Sequence, residues 1–308
     1  MVDPTRVHID AALSNLSIQY KNAALIAEQV AKILSVAKKS DKYFVYGKEA
    51  FKRRDTSRRP GGESNEAHLK VSQDNYACER HDLKDIVTDE VRSNADAPLN
   101  PEADTTEFLT DLILLDLEYA VAAAYTATAS YTNSNYTTLS GTSQWSDYAN
   151  STPLTNIKSA KAVIRKLIGR EPNAVIFGGD VAETLSLHPD IKELRKYTDP
   201  NLLTSAGLPP KILGLKVFEG KATQNIAYEG LTESMSYIWG KHAIVLFLQE
   251  RVGIKTLAPW ITIRQQGFRR TKKWREEKRE GDMIEVSDCF VVKEVADECA
   301  YLIASAIA

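Results

Sequence analysis

The chain has 308 residues, with 39 Lys and Arg against 41 Asp and Glu, a formal net charge of −2. An apolar fraction of 43% with 26% charged residues excludes a wholly disordered chain, and the length fits one large domain or two ordinary ones. Near-neutrality removes a chain-wide case for nucleic-acid binding, and Cys78, Cys289 and Cys299, lacking any CxxC pair, argue against a disulfide framework or a cysteine zinc site.

Met1–His8 lacks the apolar core of a secretory signal. Over 10–38, Leu13, Leu16, Tyr20, Ala24, Ala27, Val30 and Leu34 share one helical face, which predicts a helix. Lys42–Gly47 is aromatic and β-branched and reads as a strand. Residues 48–68 are polar and basic, with Lys52, Arg53, Arg54, Arg58 and Arg59 near the Pro60-Gly61-Gly62 breaker. Extended stretches at 68–72 and 75–80 follow, so the two sides suggest a long β-ribbon with a Pro-Gly-Gly tip. With ~15 residues per arm at about 3.3 Å, the ribbon would reach roughly 50 Å, against a radius of gyration near 19 Å for a compact chain of this length. A two-stranded ribbon is marginal alone in water, so this one is expected either to lean on another protein chain or to be a disordered loop or a shorter hairpin folded onto its own subunit.

Residues 104–128 read as a long helix, with Asp104 as N-cap, Glu107 completing a capping box, and Phe108, Leu112, Leu115, Tyr119 and Ala122 as its apolar stripe. Asp111, Asp116 and Glu118 make a membrane span through this region costly. The Thr-, Ser- and Asn-rich stretch 126–148 predicts a loop or irregular sheet edge. A helix opens at Pro153, buries Ile157, Ala160, Ile164 and Leu167, and ends at Gly169. Ala174–Phe177 is a buried strand leading through Gly178-Gly179 to a helix capped by Asp180. Further strands are expected in 211–218, 237–240, 243–248, from Trp260 onward, at Phe290–Val292 and at Tyr301–Ile303, with a turn at Gly281-Asp282. Helices and strands in this order make a mixed α+β fold.

No catalytic signature stands out. Gly178-Gly179-Asp180 lacks the GxGxxG and Walker patterns, and the five histidines show neither HExxH nor paired metal spacing. His188-Pro189-Asp190 reads as a helix break, with the ring packing or capping. No enzyme activity, cofactor or metal is expected. Residues 264–280 carry eight Lys or Arg against three Glu. Arg264, Arg269, Arg270, Lys272, Lys273 and Arg275, with Phe268 and Trp274 interleaved, could meet phosphates or bases, or could be a solvated strand paired with acidic neighbours. The ribbon cations would find their complement on acidic surfaces such as 82–90 of another copy.

Several segments in order resemble the major capsid proteins of tailed bacteriophages. They are Tyr20-Lys-Asn-Ala-Ala-Leu-Ile-Ala-Glu-Gln-Val, Lys38-Lys-Ser-Asp-Lys-Tyr-Phe-Val-Tyr-Gly-Lys, Arg59-Pro-Gly-Gly-Glu-Ser, Tyr76-Ala-Cys-Glu and Asp89-Glu-Val-Arg-Ser-Asn-Ala-Asp-Ala-Pro-Leu. Glu171-Pro-Asn-Ala-Val-Ile-Phe-Gly, His188-Pro-Asp-Ile and Tyr237-Ile-Trp-Gly-Lys-His-Ala continue the set. The resemblance covers about residues 20–250 and implies the Hong Kong 97-type capsid fold. By position it implies an N-terminal arm (1–39), an extended loop (40–80), a peripheral domain (81–150 with spine helix 104–128, and 261–308) and an axial domain (151–260). The family pattern usually has a proline-containing stretch where Ala31-Lys-Ile-Leu-Ser-Val stands, so a helical arm remains open. The implied function is a structural subunit assembling as hexamers and pentamers into an icosahedral head around double-stranded DNA. The subunits would assemble in the host cytoplasm and reside in the virion. Packaged DNA would be touched without sequence preference, and scaffold, portal and decoration proteins are further partners of this class; no membrane is involved. With Met1 heading the arm, no fused scaffolding segment is expected. An encapsulin-like cellular shell, or a nucleic-acid-binding protein using 264–279, are the alternatives.

Overall fold

The computed structural model describes residues 25–95, 99–196, 203–228, 230–251, 253 and 256–308. The helix expected over 10–38 lies outside these residues up to 24, and beyond that the chain departs from it. A single turn, α1 (Ala27–Val30), is followed by a strand, β1 (Ile33–Val36). β1 runs parallel to β12 (Trp260–Gln265), with Ile33 opposite Thr262, and the β-branched Ile33 and Val36 suit that pleated edge better than a helix.

β2 (Ser40–Tyr46) and β3 (Val71–Ala77) pair antiparallel, from Ser40 opposite Ala77 to Tyr46 opposite Val71. The ladder is shorter than expected: seven residues span about 24 Å. Beyond it, one 3-10 turn (Lys48–Phe51) leads into an exposed, irregular loop braced by a few internal hydrogen bonds. Asn65 donates to Asp55 O at 2.9 Å, and Arg58 Nε to Gly62 O at 2.7 Å, so this part has no need of a ladder. After Cys78, β4 (Glu79–Thr88) carries the ribbon's second side into a five-stranded sheet. There β14 (Gly281–Glu294) pairs antiparallel with β4 on one edge and with β12 and β13 (Arg270–Glu276) on the other. The expected turn at Gly281-Asp282 falls earlier, at Glu277–Arg279 with Glu280 in the left-handed region, and Gly281 already opens β14 opposite Glu276.

α2 (Asp89–Ser93) precedes α3 (Pro101–Thr126), which starts three residues before the expected position. Asn100 is the N-cap, its side chain accepting from Ala103 N, and Pro101 occupies the first turn where no N–H is needed. At 1.5 Å per residue α3 is about 39 Å long. Its buried face is Leu109, Ile113, Leu117, Val121, Ala122 and Tyr125, packed on β4 and β14, so that of the expected stripe Ala122 is buried and Leu115 half-buried. Phe108, Leu112 and Tyr119 point to solvent.

The second sheet has six strands. Their spatial order is β5 (Tyr136–Thr138), β15 (Ala300–Ala304), β11 (Ala243–Leu246), β6 (Ala174–Gly178), β8 (Leu215–Gly220) and β7 (Lys211–Ile212). Both faces of its inner strands are covered, so β15, β11 and β6 are buried along their whole length and read as nearly continuous apolar runs. Ile176, Ile244 and Leu302 join the core beneath α3, while Val175, Val245 and Ile303 pack with α4 (Pro153–Ile168) and α5 (Gly179–Ser186). α4 ends at Gly169 with φ 68°, as its sequence predicts. α5 departs from expectation: Gly178 holds the N-cap position, and Asp180 lies inside the first turn. α6 (Pro189–Arg195) is capped by His188, whose Nδ1 accepts from Asp190 N. A separate hairpin pairs β9 (Thr223–Asn225) with β10 (Met235–Tyr237). β15 pairs with β11 and β5 in the six-stranded sheet, so 261–308 does not return to the first sheet as a whole.

Candidate assembly surfaces

The structure separates the two basic segments. Lys52, Arg53, Arg54, Arg58 and Arg59 all lie exposed in the loop beyond the ribbon, with Phe51 and Leu69 exposed at its two ends. Phe44, 63% exposed, and Tyr46 add apolar surface to the ribbon itself. The ribbon's foot is fixed: Tyr43 donates its hydroxyl to Asp74 at 2.7 Å, and Lys293 of β14 reaches the same carboxylate at 3.1 Å. Burial, then the bond to Asp74, pushes the Tyr43 phenol well above its ordinary range.

The second basic segment is largely paired within the chain. Arg264, almost fully buried, lies between Glu28 (3.2 Å) and Asp288 (3.1 Å), and Arg269 also reaches Glu28. Lys272 meets Glu285, Lys273 meets Glu102 (2.6 Å) and Asp282 (3.1 Å), and both Arg275 Nη atoms bond Asp89. Arg92 adds bonds to Glu102 and Asp282, and Arg270 lies over the Phe268 ring. Hydrogen bonds from Lys273 and Arg92 hold the Asp282 carboxyl below the usual carboxylate range, and Arg275 does the same for Asp89. These pairs fit the solvated-strand reading of 264–279. In the acidic stretch 82–90, Asp82 is paired with Arg80 at 2.6 Å and Asp89 with Arg275, so two of its four carboxylates are engaged by cations within the chain.

A different surface is apolar. The outer face of α3 presents Phe108 and Tyr119, each 52% exposed, with Leu112, near the exposed Asp104. A third apolar group caps the β9–β10 hairpin: Ile226, Tyr228 (85% exposed), Leu231 and Met235. Isolated exposed apolar residues are ordinary, but grouped ones mark contact surfaces.

Sequence reasoning noted Glu118 only as a charge in an apolar run. The structure places it without exposed surface on α3, and burial pushes its carboxyl above the ordinary range against three hydrogen-bond donors. The signal was available: this carboxylate sits among Leu117, Val121 and Tyr125 on the core side of the helix. The three cysteines are buried and unpaired, and burial raises the Cys299 thiol to about 12. Among the described residues no group of three or more His, Cys, Asp or Glu could hold a metal, and no helix is long and apolar enough to cross a membrane.

A ribbon rising from a five-stranded sheet, a long helix along that sheet and a second α/β layer together define the Hong Kong 97-type fold of shell-forming capsid proteins. Solved structures agree. A phage-related protein from Bordetella bronchiseptica aligns with a TM-score of 0.70 at 20% identity, covering 93% of this chain and 94% of that one. The capsid of cyanophage P-SCSP1u aligns at 0.68 and 11% identity, covering 97% and 93%. The encapsulin of Synechococcus elongatus, at 0.56 and 10% identity over 97% and 96%, shares the fold alone. No family model matches the chain. The major capsid protein of Pseudomonas phage JBD67 is 32% identical over 242 residues, 78% of this chain and 77% of that protein. That of Burkholderia phage BcepMu is 27% identical over 270 residues, 84% of each. The chain therefore belongs to the phage major capsid proteins, structural components of the virion shell.

Proposed function

We propose that this subunit assembles into hexamers and pentamers of an icosahedral head enclosing double-stranded DNA, and that its role is wholly structural, with no catalytic step. The observation that carries the reading is the ribbon with its loop. It is anchored at the foot, carries exposed Phe44, Phe51 and Leu69, and presents five cations at its far end. In this reading 40–80 is the extended loop, the five-stranded sheet with α3 is the peripheral part, and the six-stranded sheet is the axial part. The neighbour's surface that receives the loop is the outer face of α3, where the exposed apolar strip of Phe108, Leu112 and Tyr119, with Asp104 near it, complements the loop's Phe51 and cations. Packaged DNA is met without sequence preference, and scaffold, portal and decoration proteins belong to the same assembly.

Electron microscopy of the purified chain, followed by nuclease-protection analysis of particles from infected cells, tests this. Closed uniform shells containing DNA are expected. Small oligomers at every concentration would sink the shell reading, and shells filled with protein cargo in place of DNA would favour an encapsulin-like compartment.

A further inference from the structure

Three segments far apart in sequence meet at Glu118. Its Oε2 accepts the backbone N–H groups of Ile26 at 2.9 Å and Ala27 at 2.7 Å, and its Oε1 accepts the indole N–H of Trp239 at 2.6 Å. Two turns further along α3, Tyr125 donates its hydroxyl to Val30 O at 3.0 Å. The pair grips α1 at both ends, the carboxylate taking N–H groups at its start and the phenol a carbonyl at its end. The Tyr125 ring also lies against Trp239, with centroids 6.1 Å apart.

Trp239 is two residues past the end of the β9–β10 hairpin. Its seat exists because residue 220 is glycine: a Cβ there would lie 2.4 Å from the indole Cγ. Gly220 is itself three residues before the hairpin's first strand, and Ile238 N donates to Ala222 O at 2.9 Å, closing the hairpin's foot. Both sides of the hairpin are therefore rooted around this one indole ring.

We propose that Glu118 couples the root of the N-terminal segment to the foot of the β9–β10 hairpin, so that each element is held firmly only while the other is seated. The physical reason is the cost of a buried acceptor. If Ile26 and Ala27 leave, Oε2 is stranded without donors, and the side chain relieves this by rotating toward water, which withdraws Oε1 from Trp239. Linkage makes the effect reciprocal: losing the indole N–H frees the carboxylate to turn away from the arm's root. The coupling stands on contacts within one subunit and does not depend on the shell reading.

Hydrogen–deuterium exchange on the full chain tests it. Ala27→Pro removes one backbone donor and, by disfavouring the helical-region backbone of Ile26 before it, unseats the arm's root, and Trp239→Phe removes the indole donor while keeping an aromatic ring. Ala27→Pro should speed exchange of the hairpin amides by about tenfold, and Trp239→Phe that of the Ile26 and Ala27 amides, with β2–β3 and β12–β14 unchanged. If each variant loosens only its own segment, the coupling is wrong. If either variant loosens all the strands together, Glu118→Gln decides, because the amide keeps the side chain's size and sets an NH2 against a donor. It should loosen arm root and hairpin alike, and loosening of only one, or neither, overturns the proposal.

Discussion

Asp282 shows how single residues settle the fate of the basic strand. Its carboxylate, with a side chain 14% exposed, receives Lys273 at 3.1 Å and Arg92 at 2.5 Å, and those two cations also share Glu102. Lys273 holds Glu102 below the ordinary carboxylate range, Lys273 and Arg92 hold Asp282 there, and Arg275 does so for Asp89. A lowered folded-state pKa means that the unfolded chain binds protons first on acidification. The stabilisation is therefore fully present above about pH 4, the usual unfolded carboxylate range, and is lost as pH falls through the lower folded values. Asp282→Asn should lower the melting temperature at pH 7 and flatten its decline below about pH 4. Thermal melts between pH 7 and the acid limit of solubility give the comparison, and an acid limb as steep as the wild type's would refute the network's role.

At the scale of elements, α3 carries two apolar rows, and only one can face its own core. Phe108, Leu112, Leu115 and Tyr119 recur as regularly as Leu109, Ile113, Leu117 and Val121, so periodicity fits both rows equally well. Packing against β4 and β14 makes the choice, and it leaves Phe108 and Tyr119 outside. Leu117→Ala should cost about 2–5 kcal/mol of unfolding free energy, whereas Phe108→Ser should change it by less than ~0.5 kcal/mol. Phe108→Ser should nonetheless lower the yield of closed shells, as counted by electron microscopy. A large stability loss with normal shells would reverse the roles of the two rows. The same limit governed what else was legible. The strand at 42–46, the helix ending at Gly169 and the apolar runs of the six-stranded sheet were readable, because each is specified by neighbours in sequence. Partners such as Glu102 for Lys273, or Ile26 for Glu118, lie roughly 90 to 170 residues away and leave no local trace. β1 was missed for the same reason, since only β12 makes Ile33–Val36 a strand.

At the scale of the whole subunit, three exposed apolar groups stand out among the described residues: the ribbon with its loop, the outer face of α3 and the hairpin tip. A subunit with such surfaces on separate elements is shaped for several neighbours at once, where a standard two-body interface uses one patch of ~800 Å² per partner. Deleting residues 48–68 isolates the ribbon's share. The cut leaves the β2–β3 ladder intact, and Gly47, Leu69 and Lys70 remain as a three-residue connection between Tyr46 and Val71, a length hairpins commonly use. The deletion removes the ion pair of Lys48 with Glu298, whose lysine is half exposed and which contributes on the order of 0–1 kcal/mol. Neither of the two large cores loses a residue. The variant should therefore melt within a few degrees of the wild type, yet fail to build shells that survive dilution, because the five cations and Phe51 that would bind the neighbour's α3 are gone. Light scattering and electron microscopy after dilution read the second property, and thermal melting reads the first. Stable shells from the deletion would show that the loop is dispensable for assembly, whereas loss of melting cooperativity would show that it belongs to the subunit's own core.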